Sequence, residues 1–179
     1  MNARKKKRLV LRSSILLVML VAVGYTLYSG IFDKPSIVRA GQVAPNFSLE
    51  TLDGGRIELE ELRGKGVIIN FWGTYCEPCE REMPALEAGY NMYKDQGVEV
   101  LAVNVAETKI IVKDFVDRMG TTFPILMDNR SEIMKLYGVG QLPSTFMIDP
   151  TGEIVQHKIG EMSAEEIRGY MEAVKPNET

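Results

Sequence analysis

The chain of 179 residues contains two cysteines, Cys76 and Cys79, in the segment FWGTYCEPCEREMP. Such a pair could bind a metal, attach haem, brace a loop or exchange disulfides. A structural zinc site needs about four ligands, but the chain adds one histidine, His157, far along the sequence and expected to face solvent. Haem attachment needs a histidine directly after the second cysteine, where this chain has Glu80. Copper transfer would need His157 beside both thiols, and nothing in the sequence brings it there. The sequence therefore predicts no metal site.

A purely structural disulfide is the main alternative to redox exchange at this pair. A bridge across so short a spacing constrains little of the unfolded chain and stabilises the fold poorly. A cysteine at a helix N-terminus, in contrast, has its thiolate stabilised by unpaired N–H groups and the helix dipole. Cys76 is predicted to hold that place, and Pro78 costs no hydrogen bond there. We therefore predict disulfide exchange, with Cys76 as the attacking sulfur and Cys79 as the resolving thiol.

The elements that position the pair follow from hydrophobic patterning. The continuous apolar run 66–73 predicts a central strand buried on both faces. A helix is predicted from Cys76 or Glu77 to Gln96, with Gly97 as its C-terminal stop. Residues 98–105 form a second buried run, and residues 109–119 carry a helical stripe of apolar positions. The pair then lies at the carboxyl end of a strand, where ligand chemistry collects in α/β sheets.

The remaining elements complete an α/β pattern. Alternating residues around Asp53–Gly55 predict an N-terminal hairpin formed by residues 47–50 and 56–59. Strands are predicted near 124–127, 144–149 and 153–159, with a turn at 149–152. A closing helix is predicted at 163–174, where Ser163 and Glu166 form a capping box. Strands alternating with helices indicate a sheet with helices on both faces.

The N-terminal part of the chain differs in charge from the rest. The first 12 residues carry six basic side chains and no acid, and the remainder holds 15 basic and 24 acidic residues, a formal net charge of −9. A basic head on an acidic body does not favour nucleic-acid binding. Residues 13–32 are uncharged, and as a helix they would span about 30 Å, the thickness of a bilayer core.

The basic head and the apolar segment together predict a signal-anchor. The positive-inside rule keeps residues 1–12 in the cytoplasm and sends the rest of the chain to the outer face of the cell membrane. A cleaved signal peptide remains the alternative, although no small-residue cleavage site follows at the usual distance. We predict a head at 1–12, a single-pass transmembrane helix at 13–32, a stalk at 33–40 and an extracytoplasmic domain at 41–179.

Three further motifs accompany the cysteine pair and identify a family. The segment NFWGTYCEPCEREMP resembles the Trp-Cys-x-Pro-Cys site of the thioredoxin-like superfamily, with Tyr75 in place of the tryptophan. Pro84 corresponds to the helix-kinking proline of the family, and Pro143 in VGQLPSTFMID to its cis-proline. With GQVAPNFSLETLDG, the resemblance covers about residues 41–175. It implies a thioredoxin-like α/β fold with an N-terminal β-hairpin extension and a central α/β insertion, preceded by one transmembrane helix.

The predicted anchor, Glu82 and the Cys-Glu-Pro-Cys sequence make the chain similar to one branch of this superfamily. Its members are membrane-anchored thiol-disulfide oxidoreductases that reduce apocytochrome c before haem attachment. The resemblance implies that Glu82 exchanges a proton with Cys79 during resolution. It also implies a membrane thiol-disulfide protein as electron donor and no cofactor beyond the redox-active disulfide. Residues predicted to contact substrate, including a free Leu142 backbone beside the cis bond, are Trp72, Glu77, Pro78, Leu142 and Pro143.

Charge around the sulfurs predicts the direction of electron flow. Three acids, Glu77, Glu80 and Glu82, surround the pair, with Arg81 opposing them and Glu161 as a further candidate neighbour. Nearby carboxylates disfavour a thiolate and raise the pKa of a thiol, whereas a strong oxidant depends on a stabilised thiolate. We therefore predict a reductant.

Other functions remain open from the sequence alone. They are a general oxidant of secreted proteins, a membrane-tethered adaptor without turnover, and a thiol peroxidase. The segment GQVAPNFSLETLDG also resembles peroxiredoxins, whose site has the pattern Pro-x-x-x-Thr-x-x-Cys. Here Thr74 lies only two residues before Cys76 and no proline precedes it, which disfavours the peroxidase.

Overall fold

The structure, a computed structural model, describes residues 3–32 and 38–176. Residues 1–2, 33–37 and 177–179 lie outside the described residues, and with them most of the predicted stalk. The chain divides into two units, Met1–Pro35 and Ser36–Thr179.

The first unit contains helix α1, Ala3–Phe32. This helix includes the predicted helical segment 13–32 and begins ten residues earlier, within the basic head. Among the residues that the structure describes, no helix is both long enough and apolar enough to cross a membrane.

The second unit contains every strand and helix that the patterning predicted for it. Its elements are β1 (Ser48–Glu50), β2 (Arg56–Glu58), β3 (Gly66–Trp72), α2 (Glu77–Tyr93), β4 (Val98–Val105), α3 (Lys109–Met119), β5 (Ile125–Asp128), α4 (Glu132–Leu136), β6 (Ser144–Ile148), β7 (Ile154–Ile159) and α5 (Ala164–Val174). Helix α4 and a 3₁₀ turn at Leu59–Leu62 were not predicted.

Five strands form the main sheet in the order β5-β4-β3-β6-β7. The pairs β3–β4 and β4–β5 are parallel, and β3–β6 and β6–β7 are antiparallel. Every residue of β3 is buried, which confirms the central strand. We assign the predicted central insertion to α3 and β5, because they lie between β4 and α4 and add an edge strand.

The N-terminal hairpin is a separate two-stranded sheet, β1–β2, with Leu49 opposite Ile57. It joins the edge of the main sheet through the Leu52 N–H, which donates to the carbonyl of Ile125 at 2.9 Å. The predicted hairpin is therefore confirmed, and the residue that follows β1, Thr51, forms an antiparallel bridge with Leu126 of the edge strand β5.

Helices cover both faces of the main sheet, as predicted, but unequally. One face, here called the α2 face, packs against α2, α3 and α5; its buried residues include Ile68, Trp72, Met83, Leu86, Phe115, Met147 and Met171. The other, the α4 face, packs against the short α4, the hairpin and residues 38–47; its buried residues include Phe47, Ile69, Phe71, Leu101, Tyr137 and Phe146. The cysteine pair belongs to the α2 face.

Local sequence signals account for the helix ends. Gly97 adopts a φ of 82° after the 3₁₀ turn that continues α2, a left-handed conformation that favours glycine. At α5, the Ser163 hydroxyl accepts from the Glu166 N–H and the Glu166 carboxylate accepts from the Ser163 N–H. The capping box predicted from these two residues is confirmed.

Candidate active site

The cysteine pair lies where β3 ends and α2 begins. Cys76 is the N-cap residue of α2, in extended conformation, and its sulfur accepts from the Cys79 N–H at 3.3 Å. The Cys76 N–H donates to the carbonyl of Gly73 at 3.1 Å and closes the turn between strand and helix. Pro78, half-buried in the first turn of the helix, removes an N–H that would have no partner in the helix. The sequence therefore places the first sulfur at a helix N-terminus, as predicted.

Cys76 and Cys79 form a disulfide, with their Cα atoms 5.2 Å apart. Cys76 is 8% exposed and Cys79 is completely buried. A partner thiol or disulfide can therefore reach only the first sulfur. This asymmetry supports the predicted roles of Cys76 as attacking sulfur and Cys79 as resolving thiol.

The Leu142–Pro143 peptide bond is cis, which confirms the prediction made for Pro143. The Pro143 carbonyl accepts from the Gly160 N–H at 2.9 Å, which fixes this loop to the end of β7. Leu142 is partly buried and contacts the apolar clusters on both sheet faces. Within the part of the chain that the structure describes, the Leu142 backbone makes no hydrogen bond to another backbone group. The contact of this backbone with an extended substrate segment stays a prediction.

Glu82 is the one buried carboxylate of α2, with 2% of its surface exposed. One oxygen accepts from Asn70 Nδ2 at 2.8 Å, and the other accepts from the Met162 N–H at 2.9 Å. Asn70 Nδ2 also donates to the Thr145 hydroxyl at 2.9 Å. Burial raises the pKa of Glu82 to about 7, although both hydrogen bonds oppose the shift. This carboxyl group can therefore exchange a proton near neutral pH.

Arg81 opposes the exposed glutamates near the pair, as predicted. Arg81 forms ion pairs with Glu77 at 2.9 Å and with Glu161 at 2.6 Å. Glu161 does lie beside α2, but its charge and that of Glu77 are both shared with one guanidinium. Glu80 is exposed. Among the glutamates of α2 near the pair, Glu82 is buried whereas Glu77 and Glu80 are exposed.

Trp72 requires a correction, because it was predicted to contact substrate. Its side chain is completely buried, and its ring packs against Phe115 with centroids 5.2 Å apart. It has no surface that a substrate could touch. The exposed aromatic residue here is Tyr75, 69% exposed, whose ring lies so close to Gly73 that a Cβ there would be 2.7 Å from it.

His157 also differs from the sequence expectation of a solvent-facing side chain. It is partly buried on β7, its ring stacks on Phe146 at 4.0 Å, and its Nε2 lies 2.8 Å from the Ser144 hydroxyl. Burial lowers its pKa. In the described residues, no three potential metal ligands come together as a site.

The sequence analysis missed two residues of the site. Glu107 holds the turn before Cys76, and Asn70 holds the carboxylate of Glu82. Glu107 follows β4 and accepts from the Thr74 N–H at 2.7 Å, from the Thr74 hydroxyl and from Asn104 Nδ2 at 2.7 Å. Asn70 interrupts the apolar run of β3, and a polar residue within a buried strand is the signal that could have identified it. Nothing in the sequence indicated Glu107.

Comparison with known proteins agrees with this geometry. Residues 40–157 match the AhpC/TSA family. The chain is 49% identical over 173 residues to the thiol-disulfide oxidoreductase ResA of Geobacillus kaustophilus, covering 97% of this chain and 99% of that protein. It is 46% identical over 176 residues to ResA of Bacillus subtilis, covering 98% of both. A crystal structure of a thioredoxin family thiol:disulfide interchange protein from Chlorobium tepidum aligns with a TM-score of 0.70 and 26% identity, covering 76% of this chain and 97% of that one.

The fold and the cysteine pair define a thioredoxin-like enzyme that exchanges thiols and disulfides. The chain belongs to the AhpC/TSA family, among the thiol-disulfide oxidoreductases related to ResA.

Proposed function

We propose that this chain is a reductant on the outer face of the cell membrane, where it reduces the Cys-x-x-Cys-His disulfide of apocytochrome c before haem attachment. The observation that carries the proposal is the buried Glu82 carboxylate, three residues after Cys79 on the buried side of the same helix. A buried carboxylate disfavours a neighbouring thiolate. The reduced pair is then not stabilised, which favours a low reduction potential.

The reaction follows from the exposure of the two sulfurs. The Cys76 thiolate attacks one sulfur of the substrate disulfide, forms a mixed disulfide and releases the other substrate sulfur as a thiolate. Cys79 then loses its proton and attacks Cys76, which forms the Cys76–Cys79 bond, breaks the mixed disulfide and releases the second substrate sulfur as a thiolate. Two electrons pass from enzyme to substrate. Glu82 takes the proton of Cys79, since a carboxyl group with a pKa of about 7 is partly ionised at neutral pH.

The N-terminal part of the chain bears on where the enzyme works and with which partners. The basic head and the uncharged segment 13–32 support a signal-anchor that leaves the domain outside the cell. The redox-active disulfide is the only cofactor that we propose, so the electrons come from a membrane thiol-disulfide protein. Membrane fractionation with mass analysis tests the anchor: an intact chain that stays bound after an alkaline wash supports it, and a chain shortened near residue 30 shows a cleaved signal peptide.

The reduction potential of the full chain in detergent micelles tests the direction of electron flow. The protein is equilibrated with defined thiol buffers and read by the fluorescence of Trp72. A potential near or below about −250 mV, in the range of thioredoxin, supports a reductant. A potential near about −120 mV is that of a strong oxidant and would overturn the proposal.

The substrate is tested with oxidised Cys-x-x-Cys-His peptides and with a matched disulfide peptide whose histidine is replaced by alanine. We expect the reduced enzyme to reduce the histidine peptide in a stoichiometric reaction. A Cys76→Ser/Cys79→Ser variant is the control for binding without turnover. If that variant restored cytochrome maturation in cells, the protein would be an adaptor and not a reductant.

A further inference from the structure

An open groove of about 420 Å³ lies between the first turn of α2 and helix α3. The reaction described above makes no use of it. Here called the Ile110 groove, it is lined by residues that include Thr74, Glu80, Ile110, Ile111, Asp114 and Arg118.

Two residues that line the Ile110 groove, Thr74 and Glu80, lie on either side of the cysteine pair along the chain. Thr74 lies two residues before Cys76, and the Glu80 N–H donates to the carbonyl of Cys76 at 3.1 Å. A substrate bonded to Cys76 therefore brings the residues beside its own cysteine to the mouth of the groove. An extended segment advances about 3.3 Å per residue, so a few residues suffice to cross it.

Two exposed isoleucines give the groove an apolar side. Ile110 is 82% exposed and Ile111 is 52% exposed, both in the first turn of α3. Adjacent positions of a helix point about 100° apart, so the two side chains cover a broad strip. Contiguous exposed apolar surface rimmed by polar groups is typical of a binding surface.

The charges in the groove favour a basic partner. Asp114 and Arg118 form an ion pair at 3.4 Å and offset each other. Among the described residues, the carboxylate of Glu80 has neither an ion pair nor a hydrogen bond, so the charge of these three side chains sums to −1. Electrostatic complementarity then favours a lysine or arginine on the partner.

One wall of the groove is fixed before any partner arrives. Thr74 is held through its N–H and its hydroxyl by the Glu107 carboxylate, which is itself held by Asn104. Binding to such a preorganised wall needs less ordering of the protein than binding to a loose loop.

We propose that the Ile110 groove binds the substrate segment next to its reacting cysteine, with an apolar side chain against Ile110 and Ile111 and a lysine or arginine beside Glu80. This inference rests on the proposed function, in which the substrate is a disulfide-containing polypeptide. It adds a sequence preference that the cysteine pair alone does not provide.

The test compares an oxidised Cys-x-x-Cys peptide carrying leucine and lysine beside its cysteines with a small disulfide that has no flanking segment. The kcat/KM for the peptide is divided by the kcat/KM for the small disulfide. This ratio is measured on the full chain and on the Ile110→Ser/Ile111→Ser double variant. We expect this ratio to fall about tenfold in the double variant, mainly through KM. The matched control is Met92→Ser, an apolar residue of α2 that is 54% exposed and does not line the groove; its ratio should equal that of the wild type.

A second arm uses charge and does not depend on the double variant. With the wild type, replacing the peptide lysine by glutamate should raise KM several-fold, and with Glu80→Gln the two peptides should become nearly equal. An unchanged ratio in the double variant, or equal KM for both peptides with the wild type, would contradict the proposal that the Ile110 groove binds substrate. Failure of the wild type to reduce any peptide disulfide would instead overturn the proposed function itself.

Discussion

Both faces of the central sheet bury mainly apolar side chains, and they differ in the groups that lie among them. The α4 face holds a cluster of aromatic rings, with centroids 5.1 to 6.0 Å apart, formed by Phe47, Phe71, Tyr137 and Phe146. The α2 face holds the disulfide and a buried polar network of Asn70, Glu82 and Thr145. Both faces belong to one sheet and share its strands.

The aromatic cluster and the polar network are expected to serve different purposes, the first the stability of the fold and the second the redox reaction. Buried polar groups cost free energy unless they are hydrogen-bonded, and Asn70 Oδ1 has no partner among the described residues. The polar network therefore contributes less stability than an apolar core would. Changes in the aromatic cluster of the α4 face should alter mainly the free energy of unfolding, whereas changes in the disulfide and its polar network should alter mainly the redox reaction.

The largest expected effect is on the reaction itself. Cys76→Ser should lower the rate of disulfide exchange by at least about 10³-fold, because it removes the attacking sulfur. Cys79→Ser should instead accumulate a mixed disulfide with substrate, visible as a mass adduct. If Cys79→Ser turned over substrate at the wild-type rate, the assignment of the two sulfurs would be wrong.

On the opposite face, Phe146→Ala should lower the free energy of unfolding by about 3–5 kcal/mol, measured by urea denaturation. Its side chain is completely buried and contacts three other rings. The rate of disulfide exchange by the folded fraction should stay unchanged. Val155→Ala, on the surface of the neighbouring strand, serves as control. If Phe146→Ala lowered the exchange rate of the folded fraction as well as the free energy of unfolding, the distinction between the two faces would be wrong.

Glu82→Gln should change both the stability profile and the reaction. The pKa of Glu82 is raised from 4.5 to about 7 in the folded protein. Its stabilising contribution is therefore complete below pH 4.5 and is lost as pH rises to 7, by up to about 3 kcal/mol. The variant should lack this slope in urea denaturation between pH 4.5 and 8, and its exchange rate should lose the transition near pH 7.

Glu165→Gln, an exposed change on α5, controls for the general effect of removing a carboxylate. The new amide at position 82 can still accept from the Met162 N–H, and it can donate to Asn70 Oδ1 once the Asn70 amide turns over, so the variant should fold. An identical pH dependence in Glu82→Gln and wild type would exclude a role for this carboxyl group in proton exchange.

The smallest effect is expected at the surface of the site. Arg81→Gln should leave the melting temperature unchanged, because its ion pairs are exposed. It frees the charges of Glu77 and Glu161, so the pH at which the reduced protein forms its thiolate should rise by a few tenths. Salt at 1 M should abolish this difference through screening. If Arg81→Gln changed the pH of thiolate formation more than Glu82→Gln does, the exposed glutamates would affect the thiolate more than the buried one.

The sequence predicted the elements that are defined locally. The apolar run of β3, the stop at Gly97 and the capping box of Ser163 and Glu166 each depend on residues a few positions apart, and all are found. Helix α4 was missed, because five residues are too few to show a helical period.

The candidate site was predictable only in part, for the same reason. The cysteine pair and the cis bond at Pro143 follow from short motifs. Glu82, in contrast, acquires its environment from Asn70 and Met162, which are 12 and 80 positions away. The contact of Glu107 with Thr74 spans 33 positions. Helix periodicity carries no information over such separations, so these contacts needed the folded chain.

The three-residue spacing of the disulfide affects what can be learned from the stabilities of the oxidised and reduced protein. Oxidation and unfolding form a thermodynamic cycle, in which the stability difference between the oxidised and reduced forms equals the difference in disulfide strength between folded and unfolded chains. Because so short a loop adds little chain entropy, that difference reflects mainly the folded surroundings of the sulfurs. Thermal unfolding of the oxidised and of the reduced protein would therefore show which form the fold stabilises. A more stable oxidised form would mean that the fold favours the donation of electrons.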